Sequence, residues 1–468
     1  MASHQARLLL HGGDTMLGRA VQLTFLWQAP NEELIRDSTT AGTYLLMALH
    51  RPRDDPDAIS MQELREIREE NADGSYLWGD YLTALSIFPA PDLRLLNLET
   101  AVTASITNAD VPHKGIHYHM HSDNLPLAFA RFAAATLSEN GTSTQEEKDV
   151  ESPRRPGPYV VSMANNHAMD FGRLAVENET LPALATLPGG AHVVGLGSSI
   201  RCAAKAVRVP LLAPKTRHVS CIAVSTVCSG MPPSWRATST QSGMVVLPAL
   251  ESTTAVQKAV EITAGVLYAN NLAWPDRDDL LVLSIHWGPN WAYRQPGDVQ
   301  KQNFRRQYAH RVVDDLGVDL IYGHSSHHIR GLEIFHGKLI IYGAGDLVND
   351  YEGFANPGDE AFNTLGALFL VDLSERDGSL TQLCLVPTFM HQLQLRRVRQ
   401  RSYQRWDPAR GRMVETDDGV GALCTAINRL SRLDAGTGGQ GEAGVPVQLR
   451  VEDQWPDVPG GPVLVHSA

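Results

Sequence analysis

The chain has 468 residues, 43% of them hydrophobic, and a formal net charge of -12. It holds enough apolar side chain for a large core, and its acidic balance excludes nucleic acid as the main partner, because phosphate binding needs concentrated Lys and Arg. No run approaches the roughly 20 apolar residues of a membrane helix and no targeting segment is visible, so the expectation is a cytoplasmic protein without a membrane span.

In chain order, the first element is a buried strand, ARLLLHG (6–12), which runs into the cluster GGDTMLGR (12–19) with Asp14 and Arg19. A polar insertion follows at about 51–80; within it MQELREIREE (61–70) has the charge mix of a solvated helix. The run LRLLNL (93–98) then ends at NLET, with Asn97 and Glu99. The stretch HKGIHYHMH (113–121) alternates His117, His119 and His121 after Lys114. If extended it carries these rings on one face, and a second metal site there is the lesser reading. Charged and turn-rich, residues 138–158 read as a mobile loop. YVVSMA (159–164) leads into ANNHAMDFG, with Asn165, Asn166 and His167, and Asp170 reads as the cap of the following turn.

Three more such runs come later. LLVLSI (280–285) ends at His286, Trp287 and Gly288, with Trp287 and Trp291 as candidate pocket walls. The positions Phe304, Tyr308, Val312 and Leu316 recur every four residues and Gly317 follows, which predicts a crossover helix with a C-terminal glycine cap. VDLIYG (318–323) ends at GHSSHH, with His324, His327 and His328. The sixth run, KLIIYGAGDLVND (338–350), ends at Asp346, Asn349 and Asp350. Residues 366–373 and 380–390 read as a hairpin in a second sheet, and one helix is expected near 420–433. A Gly-rich stretch at 435–444 and a Pro-rich end mark 399–468 as a partly disordered appendage to a catalytic domain of residues 1–398. The five cysteines lack CxxC spacing and read as buried, inert thiols.

Each run is short, rich in Val, Ile and Leu and bounded by turn formers, as strands buried on both faces are. Open α/β sheets bind ligands beyond the carboxyl ends of such strands, where loops converge on a rigid base. Carboxylate, amide and imidazole groups delivered there make a metal-binding or catalytic edge.

GDTMLGR, NLET, ANNHAMDFG, HWG and GHSSHHIRG, followed by GAGD, resemble in order and spacing the CapA (PgsA) family associated with poly-γ-glutamate capsule synthesis. The likeness spans roughly residues 8–398. That family is similar to the calcineurin-like metallophosphoesterases, so the resemblance implies an α/β fold, a four-layer α/β/β/α sandwich with a metal site at the strand ends. Set against the dinuclear phosphoesterase pattern, Met16 stands where a ligand His would be, NLE replaces GDxxD, and two residues separate His324 from His327. The ligand set implied is Asp14, Asn97, Glu99, Asn166, His167, His286, His324 and His327, around one divalent ion rather than a tight pair. Mn, Zn, Fe and Ca all suit such mixed donors.

The chain also departs from the CapA pattern. Ser325 and Ser326 replace a His and a Pro, and Asp346 replaces the Asn of a terminal GN pair, adding a carboxylate as acid or base. Many members of that family carry an N-terminal membrane anchor, and the expectation here is a chain without one. The expected chemistry is a metal-dependent step on a peptide or poly-γ-glutamyl substrate. Asp14, His286, His324 and Asp346 would be catalytic, and Arg19, Lys114 and Trp287 would bind substrate. Alternatives are peptide Cα epimerisation, as in the CapA-like enzyme that inverts a lasso-peptide C-terminal Trp, phosphoester hydrolysis, and an accessory role without turnover.

Overall fold

The buried runs do form strands, but they divide between two sheets. The computed structural model describes residues 5–29, 35, 37, 39–51, 59–86, 90–104, 106, 114–134, 158–212, 217–290, 298–354, 364–402, 404–407, 411–416, 418–435, 444–455, 458 and 461–466. In the first sheet, Gln5–Thr15 is central and parallel to Leu93–Leu98, which pairs in turn with Tyr159–Ser162 and then His192–Val194. In the second, His218–Thr226, Leu280–His286, Leu320–His324 and Lys338–Ile341 run parallel.

Three apolar layers separate the elements. Leu8, Leu10, Leu95 and Val160 of the first sheet pack on Cys221, Val282, Leu320 and Leu339 of the second. On the far side of the first sheet, Leu9, Leu96 and Val161 meet Leu45 of helix Ala41–Ala48 and Phe129 of helix Asn124–Ala134. On the far side of the second, Leu281, Leu283 and Ile321 meet Val260 of helix Thr253–Ala269 and Tyr308 and Val312 of helix Asp298–Asp314. The result is a four-layer α/β/β/α sandwich. With both faces of each sheet covered, strand positions are apolar without alternation, each buried side chain contributing about 1.5–3 kcal/mol.

The crossover helix ends as its glycine implies. Gly317, at φ 68°, donates to Val313 O (2.9 Å), the αL type of closure, and Val318 donates to Val312 O (3.0 Å). Helix Met61–Glu70 buries none of its residues, matching a solvated insertion. The loop expected at 138–158 lies, apart from its last residue, outside the described residues.

Two expectations are corrected. The hairpin Leu365–Ser374 and Leu380–His391 belongs to the first sheet, antiparallel to Gln5–Thr15. The sixth run breaks at Gly345 (φ 75°) and passes between sheets, with Lys338–Ile341 in the second and Asp346–Val348 parallel to Asp14 and Thr15 in the first. The hairpin therefore continues from the first sheet. The C-terminal segment is not appended, because Leu449–Glu452 and Val463–His466 extend the first sheet and Val445–Pro446 the second. Helix Gly419–Ala435 buries Val420, Leu423 and Ile427 against the inter-sheet core, so this helix and the strands Val445–Pro446, Leu449–Glu452 and Val463–His466 close both sheets. The Gly-rich residues 436–443 lie outside the described residues. Cys221, Cys384 and Cys424 are buried as expected, whereas Cys202 is exposed. Among the described residues, no helix is long and apolar enough to cross a membrane.

Candidate metal centre

Strand register assembles the site. Asp14 lies opposite Asn97 on one side and Asp346 on the other in the first sheet, and His286 lies opposite His324 in the second. The glycines before Asp14 make this possible. Gly12 takes φ 55°, and a β-carbon on Gly13 would collide with the Gly345 carbonyl, the group that accepts the Asp14 amide at 2.8 Å. Gly13→Ala is expected to cost about 3 kcal/mol in urea unfolding, since backbone rather than a flexible side chain must move; a loss below about 1 kcal/mol would show that the strands can part there.

The sheets bring Asp14 Oδ1 to 3.7 Å from Nδ1 of both His286 and His324. Asn97 donates to Oδ1 (2.7 Å) and the Ser325 amide to Oδ2 (2.9 Å). Beyond the His324 strand, Ser325 (φ 102°) and His327 (φ 51°) adopt left-handed backbone. The turn brings His327 Nδ1 to 2.9 Å from Asp346 Oδ1 and 3.8 Å from Asp14 Oδ2. Asn349 donates to the other Asp346 oxygen at 2.9 Å.

Hydrogen bonding sets the tautomers. Ser284 donates to Ser162 (3.0 Å), so His324 Nε2 donates to Ser284 (2.9 Å) and His324 Nδ1 is left to accept. His286 Nδ1 is then the donor across the 2.8 Å contact between the rings. The remaining lone pair, on His286 Nε2, faces Glu99 Oε1 at 3.5 Å, and neither His286 Nε2 nor Glu99 Oε2 has a hydrogen-bond partner. An unpartnered imidazole nitrogen facing a carboxyl group whose other oxygen is also unpartnered calls for a proton or a cation at this point. Asn166 Oδ1 is likewise buried without a partner.

The electrostatics agree. Burial raises Asp14 to about 7 against the pull of His327, with Asp346 adding to the rise. Burial also pushes Glu99 well above the carboxylate range, helped by Asp14 and Asp346. Desolvation lowers His286 well below its usual value and His324 to about 3, so both stay neutral and available as ligands. His327 is raised: burial opposes its charge, but Asp346 and Asp14 outweigh it.

Asp14, His286 and His324 offer three ligand atoms within 4.8 Å of one another, and so do Asp14, Glu99 and His327. The residues present, with their orphaned lone pairs, fit a divalent cation. Among the other expected ligands, Asn97 is engaged at both ends, its oxygen accepting from Asn165 (3.1 Å). Asn165 brackets the turn by accepting from the amides of His167 (3.1 Å) and Ala168 (2.9 Å). Asn166 places its carbonyl on Lys114. His167 stacks on Tyr118 at 3.7 Å between ring centroids and bonds Asp170 through Nδ1 (2.6 Å).

The residues expected at the substrate are engaged elsewhere in the protein. Lys114 pairs with Asp170 at 2.6 Å. Trp287 is in the outer core of the second sheet, stacked on Tyr342 and donating to its carbonyl (2.9 Å). Trp291 lies outside the described residues. Arg19 pairs bidentately with Asp350, its guanidinium 3.9 Å from the Tyr44 centroid and within 5.2 Å of those of Tyr118 and Tyr351. It also lines a cavity of about 360 Å³ with Leu23, Ile35, Asp37, Thr40 and His117.

Sequence reasoning missed the supporting shell. Asp170 does not cap a turn: it accepts from the Tyr118 amide (2.7 Å), His167 and Lys114. Burial alone would raise Asp170, but His167 and Lys114 hold it below the ordinary value. Its place three residues after His167 was the available signal. Tyr118 and Tyr351, joined through their hydroxyls at 2.8 Å, had none, because their partners are remote in the chain. His117 pairs with Asp37 (2.8 Å), His119 with Thr103 O (3.0 Å), and His121 stacks on Trp27, so these rings serve separate contacts.

Residues 144–351 match the family model described as bacterial capsule synthesis protein PGA_cap. A probable polyglutamine synthesis accessory protein of Mycobacterium tuberculosis is 32% identical over 395 residues, covering 84% of this chain and 87% of that protein. The capsule biosynthesis protein CapA of Bacillus anthracis is 23% identical over 244 residues, 52% of this chain and 50% of its own. Among solved structures, a phosphatase from Mycoplasma pneumoniae aligns over 82% of this chain and 93% of its own, at 9% identity and a TM-score of 0.32.

Proposed function

This chain belongs to the CapA-like family of bacterial capsule synthesis proteins, and on that premise we propose that it is a metal-dependent enzyme acting on a peptide or poly-γ-glutamyl substrate. The observation that carries the reading is the pair of unpartnered buried acceptors, His286 Nε2 and Glu99 Oε2, beside Asp14. Left unsatisfied, each such group costs about 1–3 kcal/mol, a cost that ligation removes. We assign one ion rather than a pair, because Met16 is buried and apolar where a dinuclear site has a histidine, and Asn97 is already engaged.

Asp14, His286, His324, Glu99 and His327 would hold the ion. Bound there, it would polarise a carbonyl and lower the pKa of water. Asp346, 2.9 Å from His327 Nδ1, would orient that ring as a ligand. The cavity walled by Arg19 is the candidate seat for substrate chain, with Arg19 fixed by Asp350.

The test is metal analysis of the purified protein followed by incubation with γ-glutamyl peptides in deuterated water. New amino termini support hydrolysis, Cα deuterium marks epimerisation, and free phosphate from a phosphoester marks the phosphatase reading. Metal and ligand binding without product would favour the accessory role, a reading supported by the burial of every ligand side chain to 8% exposure or less. Metal affinity is also expected to rise with pH through about 7, because raised Asp14 must lose its proton before it can ligate. Titrations with Mn between pH 5.5 and 8.5 that gave a flat profile would remove Asp14 from the ligand set.

A further inference from the structure

A second cluster of ligand-type side chains lies outside this site. His50 follows helix Ala41–Ala48, Glu352 follows Asp350 and Tyr351, and His391 ends the strand Leu380–His391. The Glu352 Oε1 atom is 2.7 Å from His50 Nε2 and 3.1 Å from His391 Nδ1. Ligand atoms of all three residues lie within 4.8 Å of one another. The other Glu352 oxygen accepts the Gln392 amide at 2.5 Å, which fixes the carboxylate's orientation.

From this convergence we propose that His50, Glu352 and His391 form a second divalent-metal site, of zinc type, separate from the Asp14 centre. Two imidazoles and one carboxylate are a recurrent protein ligand set for zinc, with a fourth position for water. Ligand atoms around tetrahedral zinc stand about 3.3 Å apart, given bonds of about 2.0–2.1 Å. The separations of 2.7 and 3.1 Å therefore need to open by only a few tenths of an ångström. Imidazole donors disfavour Ca and Mg, which take oxygen ligands. His50 and His391 keep 12% and 20% of their side chains exposed, so an ion can enter from solvent.

The site clips three segments that are distant in sequence. One is the helix that carries Tyr44 over Arg19, and another is the loop in which Asp350 pairs with Arg19 and Tyr351 lies against His327. Zinc here would hold the Arg19 side of the cavity in place without joining the chemistry.

The experiment uses the full chain carrying Asp14→Ala and His286→Ala, which disables the first site. Zinc titration of this variant is expected to retain one ion per chain, and cobalt in its place should give the visible absorption of a four-coordinate site. Adding His391→Gln or, separately, His50→Gln is expected to weaken zinc binding by at least about tenfold. Circular dichroism must show each variant folded, and a variant that fails is replaced by Glu352→Gln. Absence of zinc binding in the Asp14→Ala, His286→Ala background, or binding unchanged by all three further substitutions, would overturn the proposal. Neither result bears on the Asp14 centre, which the unmodified protein reports.

Discussion

Asp14→Ala is expected to lower metal affinity at the first site by about 100-fold or more and to take turnover to background, because Asp14 belongs to both ligand groups at that site. No other side chain there is shared in this way. The substitution also strips Asn97 Nδ2 and the Ser325 amide of their acceptor, but it removes a buried carboxyl that is hard to ionise. Unfolding of the metal-free protein should therefore change far less than metal content. A pH signature separates the two effects. The folded pKa of Asp14, about 7, lies above its ordinary 3.8, so its contribution to stability is present below about 4 and is lost as pH rises through 7. Comparing chelated wild type with Asp14→Ala by urea unfolding at pH 4 and pH 8 should show the variant lacking that loss. Unchanged metal content and unchanged activity in Asp14→Ala would end the metal-centre reading.

Arg19→Ala is expected to be the most destabilising single change near the site, by about 3–5 kcal/mol. The pair with Asp350 is nearly inaccessible, at 3% and 0% side-chain exposure, and deleting the cation leaves a carboxylate in a wall of three tyrosine rings. Asp350 also accepts the Ala20 amide (3.1 Å), holding a turn in which Arg19 itself sits at φ 50°. Arg19→Lys keeps charge but loses the bidentate fork, so it should recover only part of the loss. The double variant Arg19→Met, Asp350→Leu should recover more, because no ion is left unpaired. Urea midpoints that fell no further for Arg19→Ala than for a surface Arg201→Ala would show that Asp350 protonates at little cost.

Much of this protein is legible in its residues. Buried strands, the glycine-capped crossover helix and the polar clusters after Leu10, Leu98, Ala164, Ile285 and Gly323 follow from local rules of apolar runs and turn chemistry. Gly12 and Gly13 before Asp14 foreshadow a close backbone approach, and the order of the motifs is enough for the CapA-like resemblance. Sheet assignment did not follow. Strands covered on both faces are apolar throughout, so Leu365–Ser374 carries no mark of whether it pairs with Gln5–Thr15 or with the second sheet. Likewise, the apolar stripe of Gly419–Ala435 suggests a helix but not that it seals the inter-sheet core.

Which residue types arrive at strand ends follows from local order in the chain, because period, turn formers and glycine act over a few neighbours. Which of them meet is a matter of the folded chain: Asp14 faces His286 and His324 across two sheets, Arg19 is held by Asp350, and His50, Glu352 and His391 converge. Those contacts join positions up to hundreds of residues apart, and they are set by register and packing, which no short stretch of chain encodes.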